Sequence, residues 1–327
     1  MKVIFFSTKS FERPLLEKWA RKLSVTFTEE SLHCDTVSLA RGYDAVSVFT
    51  GDDVSAQVVV GLHRAGVRFV AIRAAGYDNV DVMRARDLGM RVANVPAYSP
   101  NAVAEHAVAL MLALNRKLFL AREQALDFNF TVNSLIGFDF KNKTVGLVAT
   151  GRIGAVVAKI MHGFGCRLLG YDQYSDPQLT SRYQLEYTSL ETLCRESDII
   201  SLHIPLSEKT RYLIDKKMID LMKPGVMLVN TARGGILNTK DALEGVRSGR
   251  IGYLGLDVYE NEKGLFFYDH SQDMTRDELL AELMAFPNVV VTPHQGFATH
   301  EALDNIAETT LANLRAWSAG DASPHEL

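Results

Sequence analysis

The chain has 327 residues, enough for two domains of about 100–200 residues each, and its 47% hydrophobic content is ordinary for a globular protein. Its net charge is −4, with both signs mixed along the chain, so a nucleic-acid or membrane partner is not expected. The apolar residues 1–6 are too short for a signal peptide, and no stretch approaches the roughly 18 apolar residues of a membrane span. Because Cys34, Cys166 and Cys194 lack metal-site spacing, we expect structural thiols in a reducing cytoplasm and no metal.

Strand-like and helix-like segments alternate along the whole chain, which predicts an α/β protein with parallel sheets and helices on both faces. The first part has predicted strands at 3–6, 45–49, 68–72 and 91–92, and predicted helices at 11–22, 54–65 and 80–88. Two prolines in 94–100 interrupt this pattern, and Asn101 can cap a long apolar helix over 102–121.

A second series of strands begins near residue 144 and matches a complete dinucleotide-binding domain. The predicted strands are 144–148, 167–171, 198–202, 226–230, 253–256 and 289–291. An irregular insertion at 262–274 precedes a helix at 276–285, and a last helix spans 299–319. We expect this last helix to pack on the first domain, since the second is already complete. The domains are then 1–98 with 297–327, and 99–296.

The segment 144–154 reads as a strand, a glycine turn and the start of a helix. Gly151 would let the backbone approach a pyrophosphate, and Gly154 would let the helix pack closely on the strand. Ala149 replaces the first glycine of the G-x-G-x-x-G pattern, and we expect alanine to fit only with a negative φ. Asp172 ends the next strand, where a carboxylate can hold a ribose hydroxyl and repel a 2′-phosphate. The segment therefore predicts binding of NAD rather than NADP.

Three polar residues follow three of the later predicted strands: Arg233, Glu262 and His294. Because carboxyl ends of parallel strands line one edge of a sheet, these side chains should converge there. Arg233 could bind a carboxylate and polarise a keto oxygen, and a protonated His294 could donate a proton to that oxygen. Glu262 could orient His294 and favour its charged form. Together with the dinucleotide turn, the pattern predicts reduction of a 2-keto acid.

Each residue also has an ordinary interpretation, so the prediction rests on their joint placement. A lone histidine after a proline is usually a loop residue, and an arginine before two glycines is usually a solvated turn charge. His203 could face the cofactor or be a buried structural histidine, and His106 fits a helix core or an interface. Phe266 and Phe267 could be packing residues or a mobile flap.

The chain resembles the D-isomer-specific 2-hydroxyacid dehydrogenases. Its segments 149–154, 230–235, 257–262 and 292–294 match that family's motifs in order. Within the family it looks most like the NAD-dependent fermentative D-lactate dehydrogenases, on the segments 73–80, 95–106, 261–267 and 294–297. Ala149 and Gly296 depart from the pattern of many relatives, and Ala149 bears on the strength of NAD binding.

The resemblance implies two Rossmann-like domains, a flavodoxin-like substrate domain and an NAD-binding domain, with a cleft between them. It implies that Arg233 binds and polarises the substrate, that Glu262 adjusts the acid–base behaviour of His294, and that His294 is the acid and base. It implies substrate contacts from the amides of Ala75 and Gly76 and from a pocket of Tyr98, Phe49 and Phe297. It also implies NAD contacts from Gly151, Arg152, Ile153, Gly154 and Asp172, with Pro205, Thr231, Ala232 and Asp257 nearby. A homodimer or homotetramer through the cofactor domain is a further expectation.

The leading hypothesis is reduction of pyruvate to D-lactate with NADH, because the aromatic pocket suits a small side chain. An alternative is an NAD-dependent dehydrogenase for another 2-keto acid, such as hydroxypyruvate or phenylpyruvate. A third hypothesis, from another functional class, is a non-catalytic protein that binds and senses NAD.

Overall fold

The computed structural model describes residues 1–327. The chain forms two compact units, Met1–Ser99 with Phe297–Leu327, and Pro100–Gly296. Each unit contains one parallel sheet, so the predicted α/β class with two parallel sheets is confirmed. None of the helices has the length and hydrophobicity that crossing a membrane requires.

The sheet of the first unit has five parallel strands in the order β2-β1-β3-β4-β5, the flavodoxin-like order. The strands are β1 (Lys2–Phe5), β2 (Ser24–Phe27), β3 (Ala45–Val48), β4 (Phe69–Ile72) and β5 (Arg91–Ala93). The helices between them are α1 (Arg13–Trp19), α2 (Ala56–Arg64) and α3 (Val82–Asp87). Every residue of the central strand β3 is buried, as expected of a strand that is covered on both faces.

A buried ion pair ties together three segments of the first unit. Arg73 follows β4, is 1% exposed and binds Glu12 through two hydrogen bonds of 3.0 and 3.1 Å. The same guanidinium donates to the carbonyl of Phe6 at 2.6 Å and to the hydroxyl of Ser47 at 3.1 Å. It also lies 5.7 Å from the ring centroid of Phe49. The charge is therefore fully paired, as burial requires.

The sheet of the second unit has seven parallel strands in the order β12-β11-β10-β9-β6-β7-β8. The strands are β6 (Thr144–Val148), β7 (Arg167–Tyr171), β8 (Glu186–Tyr187), β9 (Ile199–Leu202), β10 (Val226–Asn230), β11 (Ile251–Leu256) and β12 (Val289–Val291). The helices are α4 (Pro100–Asn115), α5 (Leu118–Leu126), α6 (Arg152–Gly163), α7 (Pro177–Tyr183), α8 (Leu190–Glu196), α9 (Lys216–Leu221), α10 (Thr239–Arg247) and α11 (Glu278–Met284). Strand order reverses between β6 and β9, and ligands of open α/β sheets bind outside the carboxyl ends at such a point.

Neighbouring residues of β6 enter different cores, because successive side chains of a strand point to opposite faces. Leu147 belongs to a buried cluster with Leu110 of α4 and Val157 of α6. Val148 belongs to a second cluster with Leu193 of α8 and further residues of α9 and α10. The second sheet is thus covered by helices on both faces.

The last helix, α12 (His300–Ala319), packs within the first unit. Its Leu311, Leu314 and Trp317 are buried in one cluster with Phe5. The ring of Trp317 stacks on Phe69 at a centroid distance of 5.1 Å. This helix therefore supplies one hydrophobic wall of the first sheet.

Some predicted elements differ from the structure. The predicted single helix over 102–121 is wrong: α4 ends at Asn115, and α5 starts after Lys117, whose φ of 48° breaks the helix. No residue of α5 is buried, so no packing holds it in line with α4. Asn101 lies inside α4 rather than at its cap, because the helix already begins at Pro100. The short edge strands β2 and β8 were not predicted.

Candidate functional site

The glycine turn between β6 and α6 is shaped by one very close backbone contact. A Cβ atom added to Gly154 would lie 2.2 Å from the carbonyl oxygen of Ala149, so only glycine fits there. A Cβ atom added to Gly151 would meet nothing within 4 Å, which leaves space beside the N-terminus of α6. Arg152 and Ile153, two of the predicted cofactor residues, form the first turn of that helix. A helix N-terminus with open space beside it suits a pyrophosphate.

Ala149 has a φ of 72°, so the expectation that alanine requires a negative φ here is wrong. The close approach of the two backbone segments keeps the left-handed turn even without glycine. Ala149 is almost completely buried, and its amide donates to the carbonyl of Tyr171 at 2.8 Å. The surrounding strands thus hold a conformation that costs alanine about 1–2 kcal/mol.

Asp172 lies at the end of β7 and is bound to the glycine turn. Its Oδ2 accepts hydrogen bonds from the amide of Thr150 at 2.6 Å and from the hydroxyl of the same residue at 3.1 Å. Partial burial by itself raises the pKa of the Asp172 carboxyl, but the hydrogen bonds from Thr150 and Tyr174 outweigh it, and the pKa lies below its ordinary value. Asp172 is therefore a fixed negative charge beside the turn.

Two side chains at the ends of the neighbouring strands β9 and β10 contain buried polar atoms with no hydrogen-bond partner. The atoms are both ring nitrogens of His203, at the end of β9, and the hydroxyl oxygen of Thr231, after β10. His203 is partly exposed as a residue although its nitrogens are buried, and burial lowers its pKa to about 4. The His203 ring lies 3.7 Å from the Cβ position of Gly154. Because buried polar groups are normally paired, these atoms fit a polar dinucleotide at this edge of the sheet.

Two other predicted cofactor residues differ in burial. Pro205 is exposed in the loop after β9. Asp257 is 1% exposed at the end of β11, and both its oxygens accept hydrogen bonds from residues 292–296. The carboxylate of Asp257 is thus engaged by the protein itself.

Arg233 follows β10 in a turn whose backbone is held on two sides. The side chain of Asn230 accepts from the amide of Ala232 at 3.0 Å and donates to the carbonyl of Arg233 at 2.9 Å. A Cβ atom on Gly234 would lie 2.1 Å from the backbone of Tyr259, so this position also requires glycine. The guanidinium itself donates to the carbonyl of Ala232 at 2.9 Å. These contacts fix the direction in which Arg233 leaves the sheet.

The structure brings Glu262 and His294 together. His294 Nδ1 lies 2.9 Å from Glu262 Oε1, and since a carboxylate oxygen accepts, Nδ1 carries the hydrogen. Glu262 Oε2 accepts from the amide of Tyr259 at 3.1 Å, which orients the carboxylate. The His294 side chain is 12% exposed, so the pair is largely shielded from water.

The three predicted catalytic residues leave the same edge of the sheet. Arg233 follows β10, Glu262 follows β11 and His294 follows β12, and these strands are adjacent and parallel. His294 has a φ of 53°, and its amide donates to the carbonyl of Thr292 at 2.9 Å. A guanidinium and a hydrogen-bonded imidazole on one edge can bind a carboxylate and exchange a proton with a carbonyl oxygen.

The segment after Glu262 contains Phe266 and Phe267, for which the sequence left open either packing or a mobile flap. Phe266 is buried in a small cluster with Tyr259 and Leu280. The ring of Phe267 lies 5.7 Å from the imidazole of His294, tilted by 39°. The insertion thus contacts His294 as well as filling a core.

The aromatic residues predicted for the substrate pocket belong to the first unit. The rings of Phe49 and Phe297 are 6.3 Å apart in an edge-to-face arrangement. Phe11, which sequence reasoning missed, lies 6.1 Å from Phe297 and is 43% exposed. No sequence signal distinguished Phe11, because it precedes a helix rather than ending a strand.

The other predicted substrate residues lie in loops that follow β4 and β5. Ala75 and Gly76 are partly exposed, and the carbonyl of Ala75 accepts from the side chain of Asn94 at 2.7 Å. The carbonyl of Tyr98 accepts from Asn305 at 2.7 Å. Side-chain amides therefore stabilise both loops.

Comparison with known proteins agrees with this arrangement. Residues 108–296 match the family model of the D-isomer specific 2-hydroxyacid dehydrogenase, NAD binding domain. A D-lactate dehydrogenase of Escherichia coli is 41% identical over 329 residues, which cover 100% of both chains.

Two solved structures are similar over nearly their whole length. The pyruvate reductase of Chlamydomonas reinhardtii has a TM-score of 0.90 at 41% identity, covering 99% of this chain and 98% of that one. A D-lactate dehydrogenase from Aquifex aeolicus, complexed with NAD and lactic acid, has a TM-score of 0.88 at 29% identity, covering 98% and 96%. Residues 108–296 are thus an NAD-binding domain. The chain belongs to the D-isomer-specific 2-hydroxyacid dehydrogenase family.

Proposed function

We propose that the chain is an NAD-dependent D-lactate dehydrogenase, which reduces pyruvate to D-lactate and also catalyses the reverse reaction. The observation that carries the proposal is the His294–Glu262 hydrogen bond of 2.9 Å, on the sheet edge where β10 delivers Arg233. The names of the E. coli and Chlamydomonas relatives, and the lactic acid bound by the Aquifex enzyme, support pyruvate and lactate as the substrates.

The reacting groups have separate roles in this proposal. The bound cofactor would supply a hydride as NADH and would accept one as NAD⁺. His294 protonates the carbonyl oxygen during reduction and removes that proton during oxidation, an effect typically worth ~10²–10⁴-fold. Glu262 holds the ring by Nδ1 and stabilises the imidazolium. Arg233 binds the substrate carboxylate through its planar guanidinium and polarises the keto oxygen.

Residues of the first unit are the further substrate contacts that we propose. The backbone amides of Ala75 and Gly76 bind the substrate carboxylate, and Phe49, Tyr98 and Phe297 surround its side chain.

The cofactor residues surround the glycine turn and the neighbouring strand ends. Asp172 accepts from the adenosine ribose hydroxyl and repels a 2′-phosphate. The other residues that we assign to NAD are Gly151, Arg152, Ile153, Gly154, Pro205, Thr231, Ala232 and Asp257.

The decisive experiment follows NADH oxidation with pyruvate, 2-ketobutyrate, phenylpyruvate and glyoxylate, and then determines the chirality of the product. We expect the highest kcat/KM with pyruvate and formation of D-lactate. A preference for phenylpyruvate would instead indicate a dehydrogenase for larger keto acids. Absence of turnover with every acid, while NADH still binds, would indicate a protein that only senses NAD.

We also propose that the protein is a homo-oligomer that contacts its copies through α5 and the segment after it. This stretch exposes many large hydrophobic side chains, more than a monomer surface usually carries in one segment. They are Leu118 (54% exposed), Phe119 (52%), Leu126 (64%), Phe128 (85%), Phe130 (72%), Val132 (67%) and Ile136 (72%). Sedimentation equilibrium would show a dimer or tetramer, and a monomer at all concentrations would contradict the proposal.

Finally, we propose that the enzyme is cytoplasmic and serves fermentation, where NADH is reoxidised. All three cysteines are free, as is usual in a reducing compartment. Burial raises the pKa of Cys166 to about 11 and that of Cys194 to about 12, whereas Cys34 is exposed.

A further inference from the structure

The turn that carries His294 is anchored by one buried carboxylate. Asp257 Oδ1 accepts from the hydroxyl of Thr292 at 2.6 Å and from the amide of Gln295 at 2.8 Å. Its Oδ2 accepts from the amide of Gly296 at 2.8 Å. The carboxylate therefore holds the chain on both sides of the histidine.

The anchor is ionised in spite of its burial. Burial raises the pKa of the Asp257 carboxyl, but hydrogen bonds from His106, Thr292 and Gln295 outweigh it, so the pKa lies below its ordinary value. A buried charge of this kind depends on each of its donors, because an unpaired acceptor is costly in a low dielectric.

His106, on α4, reaches this anchor. Its Nε2 lies 3.0 Å from Thr292 Oγ1 and 3.2 Å from Asp257 Oδ1, and its side chain is 16% exposed. The single hydroxyl hydrogen of Thr292 is directed to Asp257, so Thr292 can only accept from the imidazole. His106 must therefore carry a hydrogen on Nε2, and it donates to both oxygens.

We propose that His106 is a positioning residue for His294, acting through Asp257 and Thr292; this extends the proposed function, in which His294 is the acid and base. The need for positioning follows from the turn itself. His294 has a φ of 53°, a conformation that a non-glycine residue keeps only when its surroundings impose it. Loss of the His106 donor frees Thr292 and Asp257 to rearrange, and a displacement of about 1 Å can reduce a rate by about 100-fold.

A matched pair of variants separates the donor from the packing of the side chain. His106→Gln keeps an N–H group near the position of Nε2, whereas His106→Leu keeps bulk and removes the donor. In the protein without ligands, labelled with ¹⁵N-histidine, the ring signals of His294 are assigned by their loss in His294→Ala. We expect His106→Leu to shift these signals and His106→Gln to leave them near their wild-type positions.

The same variants are then compared in steady-state kinetics with pyruvate. We expect His106→Leu to lower kcat by about 10–100-fold while KM for NADH changes by less than about threefold, and His106→Gln to retain most of kcat. His162→Leu, on α6, serves as the control and should change neither readout. Wild-type ring signals and kcat in His106→Leu, or equal losses in both His106 variants, would overturn the proposal.

Failure of this inference is distinguishable from failure of the proposed function. If the wild-type protein does not oxidise NADH in the presence of any of the keto acids, the proposed function fails. The ring signals of His294 still decide whether His106 positions it.

Discussion

The glycine turn (residues 149–154) and the histidine turn (residues 292–296) share a backbone feature but differ in the hydrogen bonding of the polar groups around them. Both follow parallel strands of the second sheet, and each contains a non-glycine residue with positive φ, 72° at Ala149 and 53° at His294. The ring of His203 lies against the glycine turn, and its two buried nitrogens have no partner; the same is true of the hydroxyl of Thr231, at the end of the next strand. At the histidine turn, the carboxylate of Asp257 accepts hydrogen bonds from three groups of the turn.

The difference fits the roles that we propose for the two turns. A surface that binds a polar cofactor must keep donors and acceptors available until the ligand arrives, at some cost in stability. A proton-transfer group must be in place before the substrate binds, since preorganisation avoids reorganisation during the reaction. The same edge of the sheet thus combines polar atoms that have no partner with a turn that is anchored by hydrogen bonds.

The largest expected effect lies in the histidine turn. His294→Ala should lower kcat by about 10²–10⁴-fold because the proton donor is lost, while the Kd of NADH changes by less than about threefold. Stopped-flow NADH binding and steady-state turnover would measure the two effects separately. His300→Ala, which changes an exposed histidine, should behave like wild type. Near-normal turnover of His294→Ala would remove it from the chemistry.

The unsatisfied imidazole near the glycine turn predicts a loss of stability in acid. The pKa of His203 is lowered from 6.5 to about 4 in the folded protein, so below pH 6.5 the unfolded chain binds a proton that the folded chain does not. The free energy of unfolding therefore falls as the pH drops from 6.5 to about 4, by at most about 3 kcal/mol.

Urea unfolding at pH 7.5 and 5 measures this effect for His203. The loss should be smaller in His203→Leu, which has no group to titrate there. Parallel losses in the two proteins would place the sensitivity in other groups.

The fixed charge of Asp172 predicts the cofactor preference. Asp172→Ala should reduce the ratio of kcat/KM for NADH over NADPH by about 10–100-fold, the usual worth of a hydrogen bond to a charged group. Asp172→Asn retains hydrogen bonding to Thr150 but removes the repulsive charge, so it should also narrow the preference. An unchanged ratio in both variants would place the ribose contact elsewhere.

The smallest effect concerns the strain at Ala149. Ala149→Gly should raise the free energy of unfolding by about 1 kcal/mol or less, since relief of the left-handed strain exceeds the entropy of glycine in the unfolded chain. Ala155→Gly, in α6, is the matched control and should destabilise the protein by about 0.5–1 kcal/mol. Chemical denaturation gives both values. Destabilisation by Ala149→Gly would show that the alanine methyl contributes more by packing than it costs in strain.

The placement of Arg233, Glu262 and His294 could be predicted because parallel strands bring their carboxyl ends to one edge. The same rule does not say which helix residue reaches that edge. His106 meets Asp257 only through the register of α4 against the sheet, which no local pattern in α4 encodes. The φ of Ala149 was equally hidden, since close packing of two backbone segments overrode the preference of alanine. The edge strands β2 and β8 are too short to give a clear periodicity.

The buried Arg73–Glu12 pair limits how the proposed substrate pocket can be redesigned. The Arg73 guanidinium lies against the ring of Phe49. A smaller residue in place of Phe49 would therefore open a void next to a charge that has no access to water. Phe297 contacts the partly exposed Phe11 on another side. Engineering toward bulkier acids should therefore begin at Phe297 and Phe11 and leave Phe49 intact.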